Sequence, residues 1–281
     1  MNYIYCPRNM VLVAALLVMA VLLGSRPLAA GEGDAATLAD SGVPAWAAER
    51  FQLASELARQ GKSGEALKAY DLALTPSGEA NARRGLPWTL VLEVTLRQAF
   101  CLMDLGRFAE ARALLNSPKF RPHLGKLTPL QLFTYYYCFG NILGNLGEVY
   151  EAAEKFRRAV TIAGTVLQDP QKEYDSWFWA HSWVGKHHQW SLLEELAVAA
   201  IKSGTAAQSE ALMDLGEKSR CLALMGKGKP GPAIDAASRV RRYYQSMQNP
   251  EKTAEWTTFL LNLNSPRAGE PPANVPAMIA P

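Results

Sequence analysis

The segment Trp177–Trp190 carries the residues most suggestive of chemistry, with three of the four histidines and four of the seven tryptophans. On a continuous helix His181 and His188 would share a face and could hold a metal ion between them. The segment lacks the HExxH spacing of zinc hydrolases, and no acidic ligand lies one turn away. We expect the helix to end at His187, which separates the two rings. The sequence therefore predicts packing or surface histidines and no metal site, and a metal-binding or enzymatic protein is the alternative.

Two glycine-containing stretches resemble phosphate-binding loops without meeting their requirements. Gly61-Lys62-Ser63 matches the end of such a loop, but Glu56 stands where the motif needs its first glycine. The stretch Gly226–Gly231 follows its lysines with proline instead of serine or threonine. No GxSxG motif is present. These observations predict no catalytic residue, no cofactor and no enzymatic activity.

The N-terminus has the layout of a secretory signal peptide, residues 1–30. It contains no acidic residue, an early Arg8, an apolar run over Met10–Leu23 and small residues at Ala29 and Ala30. The apolar run is shorter than the roughly 20 residues that span a bilayer. We expect an exported protein, periplasmic or secreted, with a flexible lead-in over residues 31–44. The alternative is an uncleaved anchor in the inner membrane that faces outside.

Charge and cysteine usage restrict the partners and the redox chemistry. Loss of residues 1–30 removes Arg8 and Arg26 and no acid, so the formal net charge falls from +3 to +1. A nearly neutral chain gives no basis for a nucleic-acid partner. A membrane partner is expected only if the N-terminal segment is uncleaved. Three cysteines remain, for which buried thiols are the preferred interpretation over one disulfide with a single thiol left over. They are Cys101, Cys138 and Cys221.

A degenerate repeat runs along the chain. Its skeleton is a small residue, Leu, Gly, Ala, an aromatic residue and Ala, at increments of 3, 4, 5, 4 and 3. The clearest copy consists of Gly140, Leu143, Gly147, Ala152, Phe156 and Ala159. Other copies place their turn residue at Gly61, Gly106 and Gly228, and a worn copy has Ala180, Trp183, His187, Leu192, Leu196 and Ala199. The turn residues are thus 45, 41, 40 and 41 positions apart, which predicts pairs of helices that stack on one another.

This pattern resembles the tetratricopeptide repeat over about residues 45–245, although that family has a unit of 34 residues. The resemblance implies an all-α fold: a right-handed α-solenoid of five antiparallel helix hairpins. We place the units near 47–80, 92–125, 133–166, 173–206 and 214–247. A capping helix over 249–264 and a disordered tail rich in Pro and Ala over 265–281 follow.

In the proteins that this chain resembles, one face of the first helices lines a concave groove that binds peptides or partner helices. A matching face here is aromatic and apolar, as binding surfaces often are. It comprises Phe51, Leu96, Phe100, Met103, Tyr137, Asn141, Trp177 and His181, here called the predicted groove. Alternatively the assumed helix phase is one residue out and these side chains form the core. The family's clamp for a C-terminal carboxylate is not expected, because only Asn141 and Lys218 have suitable side chains.

Two long connections carry the remaining cluster of charge. We call it the basic rim, and it comprises Arg83, Arg84, Lys119, Arg121 and Lys126. Such a rim could meet an acidic partner or lipid headgroups, but solvated loop charges are the preferred interpretation. Together these features predict a scaffold or assembly factor of the bacterial cell envelope that binds an unidentified protein or peptide without catalysing a reaction.

Overall fold

A computed structural model describes residues 42–75, 86–118, 120–264 and 279. Every regular element among these residues is helical, and none is a strand, so the fold is all-α as predicted. No helix within the described ranges combines the length and apolar character needed to cross a bilayer. The chain divides into two compact units, one ending at Leu105 and the other beginning at Gly106. The predicted signal peptide, most of the lead-in and nearly all of the tail lie outside the described residues.

The first compact unit contains three described helices: α1 (Ala45–Arg59), α2 (Ser63–Leu74) and α3 (Trp88–Asp104). Helices α1 and α2 form an antiparallel pair, and α3 packs against both. Their shared core is built around Phe51 and Tyr70, whose ring centroids are 5.7 Å apart. The Tyr70 hydroxyl also shares a hydrogen bond of 3.1 Å with Ser55, so the polar end of this buried ring is satisfied.

The second compact unit contains the remaining described helices. They are α4 (Phe108–Leu115), α5 (Pro129–Asn145), α6 (Val149–Thr161), α7 (Pro170–Lys186), α8 (Trp190–Ala207), α9 (Glu210–Gly226), α10 (Pro230–Ser246) and α11 (Pro250–Leu263). A 3₁₀ segment, Arg121–Lys126, precedes α5, and a π-helical segment, Ile162–Leu167, extends α6. Each α-helix packs against the next, and α7 also packs against both α5 and α9.

Helix starts recur at a regular spacing because the same capping chemistry recurs. Thr128, Asp169, Ser209 and Asn249 each accept a hydrogen bond from the backbone N–H three residues later. These side chains satisfy donors that a helix N-terminus would otherwise leave unpaired. With Pro87 before α3, the caps are 41, 41, 40 and 40 residues apart. The later part of the chain is thus more regular than the skeleton motif suggested.

From Gly106 onward the turns after α3, α5, α7 and α9 show the same period, and they correct one prediction. Gly61, Gly106, Gly147 and Gly228 have φ values from 69° to 81°, in the left-handed region that glycine enters most readily. In the fourth pair this conformation falls on His188, with φ of 57°, and not on His187. The prediction that α7 ends at His187 is confirmed. The predicted worn copy is wrong by one residue: its skeleton consists of His181, Val184, His188, Leu193, Ala197 and Ala200.

The last helix has the position of a first helix. It packs against α10 and buries Trp256, Phe259, Leu260 and Leu263. Its other face is open: Ala254, Thr258 and Leu261 are exposed, Leu261 by 67%. The residues of α9 at the same distances from the N-cap are Asp214, Lys218 and Cys221, and all three are buried. Helix α11 therefore covers the preceding pair while its own partner-facing side has no described cover.

Close contact between α8 and α9 generates a stability prediction. A Cβ at Gly216 would lie 2.6 Å from Ile201 Cγ1, 2.9 Å from the Ala197 carbonyl oxygen and 3.0 Å from the Ile201 amide nitrogen. Two of these three contacts are with backbone atoms, which can shift only by distorting α8. We expect Gly216→Ala to lower the free energy of unfolding by about 1–3 kcal/mol, as measured by urea denaturation.

Gly231 in α10 is the matched control, because a Cβ there would meet nothing within 4 Å. Gly231→Ala should leave stability unchanged or raise it by up to about 1 kcal/mol, the helix-propensity difference. Equal effects of the two substitutions would contradict the close approach of α8 and α9.

Candidate binding site

The structure buries five of the eight residues of the predicted groove. Phe51, Leu96, Asn141, Trp177 and His181 are all less than one-tenth exposed, so an incoming partner cannot touch them unless helices separate. The other three, Phe100, Met103 and Tyr137, are partly exposed. The structure assigns Phe100 and Met103 to the first compact unit and Tyr137 to the second. The surface available for the groove is therefore much smaller than the sequence suggested.

The one-residue slip in the fourth pair explains the burial of His181. It lies seven residues before the turn residue His188, as Ala54, Ala99, Gly140 and Cys221 lie before theirs. In the clearest copy this is a point of close contact, where a Cβ on Gly140 would come within 2.9 Å of the Phe156 ring. An imidazole thus occupies a position that elsewhere holds a small residue.

His181 is a buried neutral base between α7 and α9. Its Nδ1 lies 3.0 Å from the Ser219 hydroxyl, while Nε2 has no hydrogen-bond partner of good geometry. Burial lowers the pKa of His181 to about 4, and a weaker approach to the Leu196 backbone acts in the opposite direction. Loss of hydration disfavours the charged form, so the ring is neutral at physiological pH.

The histidines of the Trp177–Trp190 segment do not converge. Helix α7 ends at Lys186, His187 follows at its C-cap, and the exposed His188 has the turn conformation, so His181 and His188 do not share a helix face. Within the described residues, no group of three or more His, Cys, Asp or Glu is placed to hold a metal ion.

Asn141 forms a buried polar contact between α5 and α7. Its side-chain oxygen accepts a hydrogen bond of 3.1 Å from Trp183 Nε1, and its amide donates to the Tyr137 carbonyl at 3.1 Å. The same indole lies over Gly144, where a Cβ would come within 2.5 Å of the ring. Asn141 therefore holds two first helices together and is not presented to a ligand.

A second polar cluster joins α9, α10 and α11 around the buried Asp214. Its carboxylate accepts hydrogen bonds from Tyr244 at 2.8 Å, Trp256 at 3.1 Å and Lys252 at 2.6 Å. Burial opposes the charge of Lys252, but its bonds to Asp214 and Glu255 outweigh this and raise its pKa above the usual value. Glu255 also pairs with Lys218. The acceptor capacity of Asp214 is used internally, so this cluster stabilises the helix arrangement.

Sequence reasoning missed an open cleft formed by α8, α9 and α10, with a volume of about 330 Å³. Its charged wall consists of Glu217, Arg220 and Arg239, beside the half-exposed Tyr243. The remaining lining residues are Ile201, Met213, Asp214, Ala236, Val240 and Tyr244. The cleft combines an apolar floor with a few polar groups, as small binding sites do.

The basic rim can be followed at two positions only. Arg121 and Lys126 are exposed at either end of the 3₁₀ segment. Arg83, Arg84 and Lys119 lie outside the described residues, so the rim stays a prediction.

At least two of the three thiols are poor nucleophiles. Cys101, Cys138 and Cys221 are all buried. Burial raises the pKa of Cys101 to about 11 and that of Cys221 to about 12. A thiol attacks as its thiolate, and these two have almost none at neutral pH.

His181 gives a pH-dependent prediction. Between pH 6.5 and about 4, the unfolded chain binds a proton at His181 and the folded protein does not. Stability should therefore fall as the pH is lowered through this window, by about 3 kcal/mol in total, with no effect above it. Urea denaturation at a series of pH values should show a flatter curve for His181→Gln than for the wild type.

His188→Asn is the control, since His188 is exposed and asparagine tolerates its left-handed backbone. The fall in stability assigned to His181 should persist in this variant. Parallel curves for His181→Gln and the wild type would show that His181 is already hydrated in the folded protein.

No protein-family model, no curated protein and no solved structure matches the chain. The similarity to the tetratricopeptide repeat therefore rests on the residues of this sequence and their spacing.

Proposed function

We propose that this chain is a non-catalytic scaffold of the bacterial cell envelope that binds a protein partner. The observation that carries the proposal is the recurrence of one helix pair, with caps 40 or 41 residues apart from α3 onward. A single pair cannot bury both of its faces, so repeated pairs stack and create an extended surface. Proteins with this construction commonly use that surface to bind partners.

The finer architecture belongs to the same proposal: five tetratricopeptide-like pairs in a right-handed α-solenoid, followed by α11. In its support, α5, α7 and α9 pack in sequence within the second compact unit. The resemblance implies the same arrangement of first helices. The register of α11 makes it the first helix of an incomplete sixth repeat, which also covers the fifth pair as a capping helix would.

The internal use of polar side chains favours binding over catalysis. Asp214 and Asn141 are each hydrogen-bonded to more than one neighbouring group. A catalytic acid or base needs a proton or lone pair that is free to reach the substrate, and a pKa near the working pH. The raised thiol pKa values and the internal bonds of Asp214 and Asn141 are the opposite of this arrangement.

The envelope location in this proposal is supported by the N-terminal sequence alone. Export through a cleaved signal peptide is the preferred form of the proposal, and an anchored scaffold facing outside is the alternative. The mature N-terminus, measured by mass spectrometry of the protein from its native cells, separates them: cleavage gives a start near Gly31.

Partner binding is tested by covalent cross-linking in intact cells, followed by affinity capture of the full-length chain and mass spectrometry. We expect one envelope protein to be enriched in near-stoichiometric amount. A chain that lacks residues 1–30 and so stays in the cytoplasm is the control and should lose that protein. Absence of an enriched protein from the wild-type sample would contradict the proposal.

Variants of the predicted groove should behave differently in the same capture assay, depending on how buried the substituted residue is. Trp177 is 5% exposed, and Trp177→Ala should lower the free energy of unfolding by about 3–5 kcal/mol. Any loss of capture in this variant should therefore come with a loss of helicity. Met103→Ala, at a partly exposed position, should lower stability less. Capture lost in Met103→Ala with an unchanged melting temperature would assign this part of the groove to the partner.

A further inference from the structure

The cleft of the fifth repeat occupies a place that an aromatic side chain fills in the third. In repeat 3, Tyr136 of α5 packs against a buried apolar cluster that includes Ile162, and Leu132 packs against the same cluster. Arg158 of α6 lies over the Tyr136 ring, with its guanidinium carbon 5.4 Å from the centroid. Its Nη1 also donates to the Tyr136 hydroxyl at 3.2 Å. Arg158 thus binds both the face and the polar end of the ring.

Counting from the N-caps Thr128 and Ser209, the fifth repeat keeps the arginine of this arrangement and places other residues at the remaining positions. Arg239 is the counterpart of Arg158, and Met213 and Tyr243 are the counterparts of Leu132 and Ile162. The counterpart of Tyr136 is Glu217. The same positions that enclose a tyrosine in repeat 3 therefore line an open cleft in repeat 5.

Repeat 4 also fills this position with an aromatic side chain. Trp177 of α7 lies eight residues after its N-cap, as Tyr136 and Glu217 do, and it is only 5% exposed. Among these three repeats, the fifth alone has a charged side chain at the centre of the arrangement.

The cation at the centre of the cleft wall is not used internally. Arg239 forms no hydrogen bond or ion pair within the described part of the chain. Glu217 has one weak ion pair, 3.9 Å from Arg220, so it does not replace the tyrosine as a partner for Arg239. Arg158, in contrast, is engaged by both Tyr136 and Glu154.

We propose that this cleft binds a tyrosine side chain of the protein partner. The ring would lie on Ile201, Ala236 and Val240, with its hydroxyl oxygen accepting from Arg239 and its face against the guanidinium, as in repeat 3. A volume of about 330 Å³ is at the small end of ligand sites, which suits one inserted side chain. The sequence after Leu263 contains no Phe, Tyr or Trp, so the tail cannot supply the ring. The inference rests on the proposed partner-binding function, of which it names the recognised group.

The probe is p-cresol, the free side chain of tyrosine, titrated into the full-length chain and followed by methyl NMR signals of Met213 and Ile201. For a ligand of this size we expect a Kd on the order of 1 mM. Toluene, which lacks the hydroxyl, should bind several-fold more weakly. Absence of methyl shifts at about ten times that concentration overturns the proposal.

Two variants test the proposal, one by filling the cleft and the other by removing the charge of Arg239. Glu217→Tyr restores the side chain of repeat 3 and should abolish p-cresol binding by filling the cleft. Arg239→Gln changes an exposed side chain and should weaken binding at least fivefold without unfolding the protein. Arg242→Gln, an exposed neighbour on α10 that does not line the cleft, is the matched control and should bind as the wild type does. Unchanged binding in Glu217→Tyr or in Arg239→Gln overturns the proposal.

Partner capture distinguishes the two proposals. If a partner is captured equally by the wild type and Glu217→Tyr, the scaffold function stands and the tyrosine site fails. If sedimentation shows self-association that Glu217→Tyr removes, a second copy of this chain is the occupant, and the assignment to another protein is overturned. Loss of capture in Glu217→Tyr, with a wild-type melting temperature, supports both proposals.

Discussion

Close approach of neighbouring helices is the constraint on which the described structure depends, because it dictates residue size at one recurring position. Seven residues before the left-handed residue that follows each of α1, α3, α5, α7 and α9, a buried side chain faces neighbouring helices and must be small or fully accommodated. At this position Gly140 allows contact with Phe156, and at a different position of α9 Gly216 allows close approach to the backbone of α8. The packing density of protein interiors is close to that of organic crystals, so a single added methyl group at such a position lowers stability. His181 is the larger group at this position, and its Nδ1 lies within hydrogen-bonding distance of the Ser219 hydroxyl.

Much of the helical organisation could be predicted from sequence because its signals are local. Glycine marks four of the five inner turns, and an N-cap followed by proline begins α5, α7 and α11. The predicted alignment of the fourth repeat was wrong because His187-His188 stands in place of the glycine. Two adjacent residues were therefore candidates for the left-handed conformation. The capping signal at Asp169-Pro170 would have settled the choice, since it lies 41 residues after Thr128.

The groove was harder to predict because burial depends on neighbours that the local sequence does not specify. A one-residue error on a helix rotates a side chain by about 100°, enough to move Trp177 and His181 from an assumed surface to the interior. The cleft had a readable signal, namely a glutamate at the position of Tyr136 and Trp177. That glutamate is informative only together with Arg239 of the following helix, which keeps the arginine found at Arg158 in the third repeat. Likewise, nothing in the sequence shows that Asp214 gathers donors from three different residues of α10 and α11.

The open face of α11 bears on how such a chain changes length over evolution. Ala254, Thr258 and Leu261 keep the spacing of residues that are buried in α9, although they are exposed. The spacing needed for contact with one more helix is thus already present on α11, while the sequence beyond Leu263 contains five prolines. Duplication of a unit of about 40 residues at this junction would keep the contacts between α10 and α11. Gain or loss of a repeat is therefore a small evolutionary step for this protein, whereas insertion inside a helix pair would disrupt the contacts on both sides.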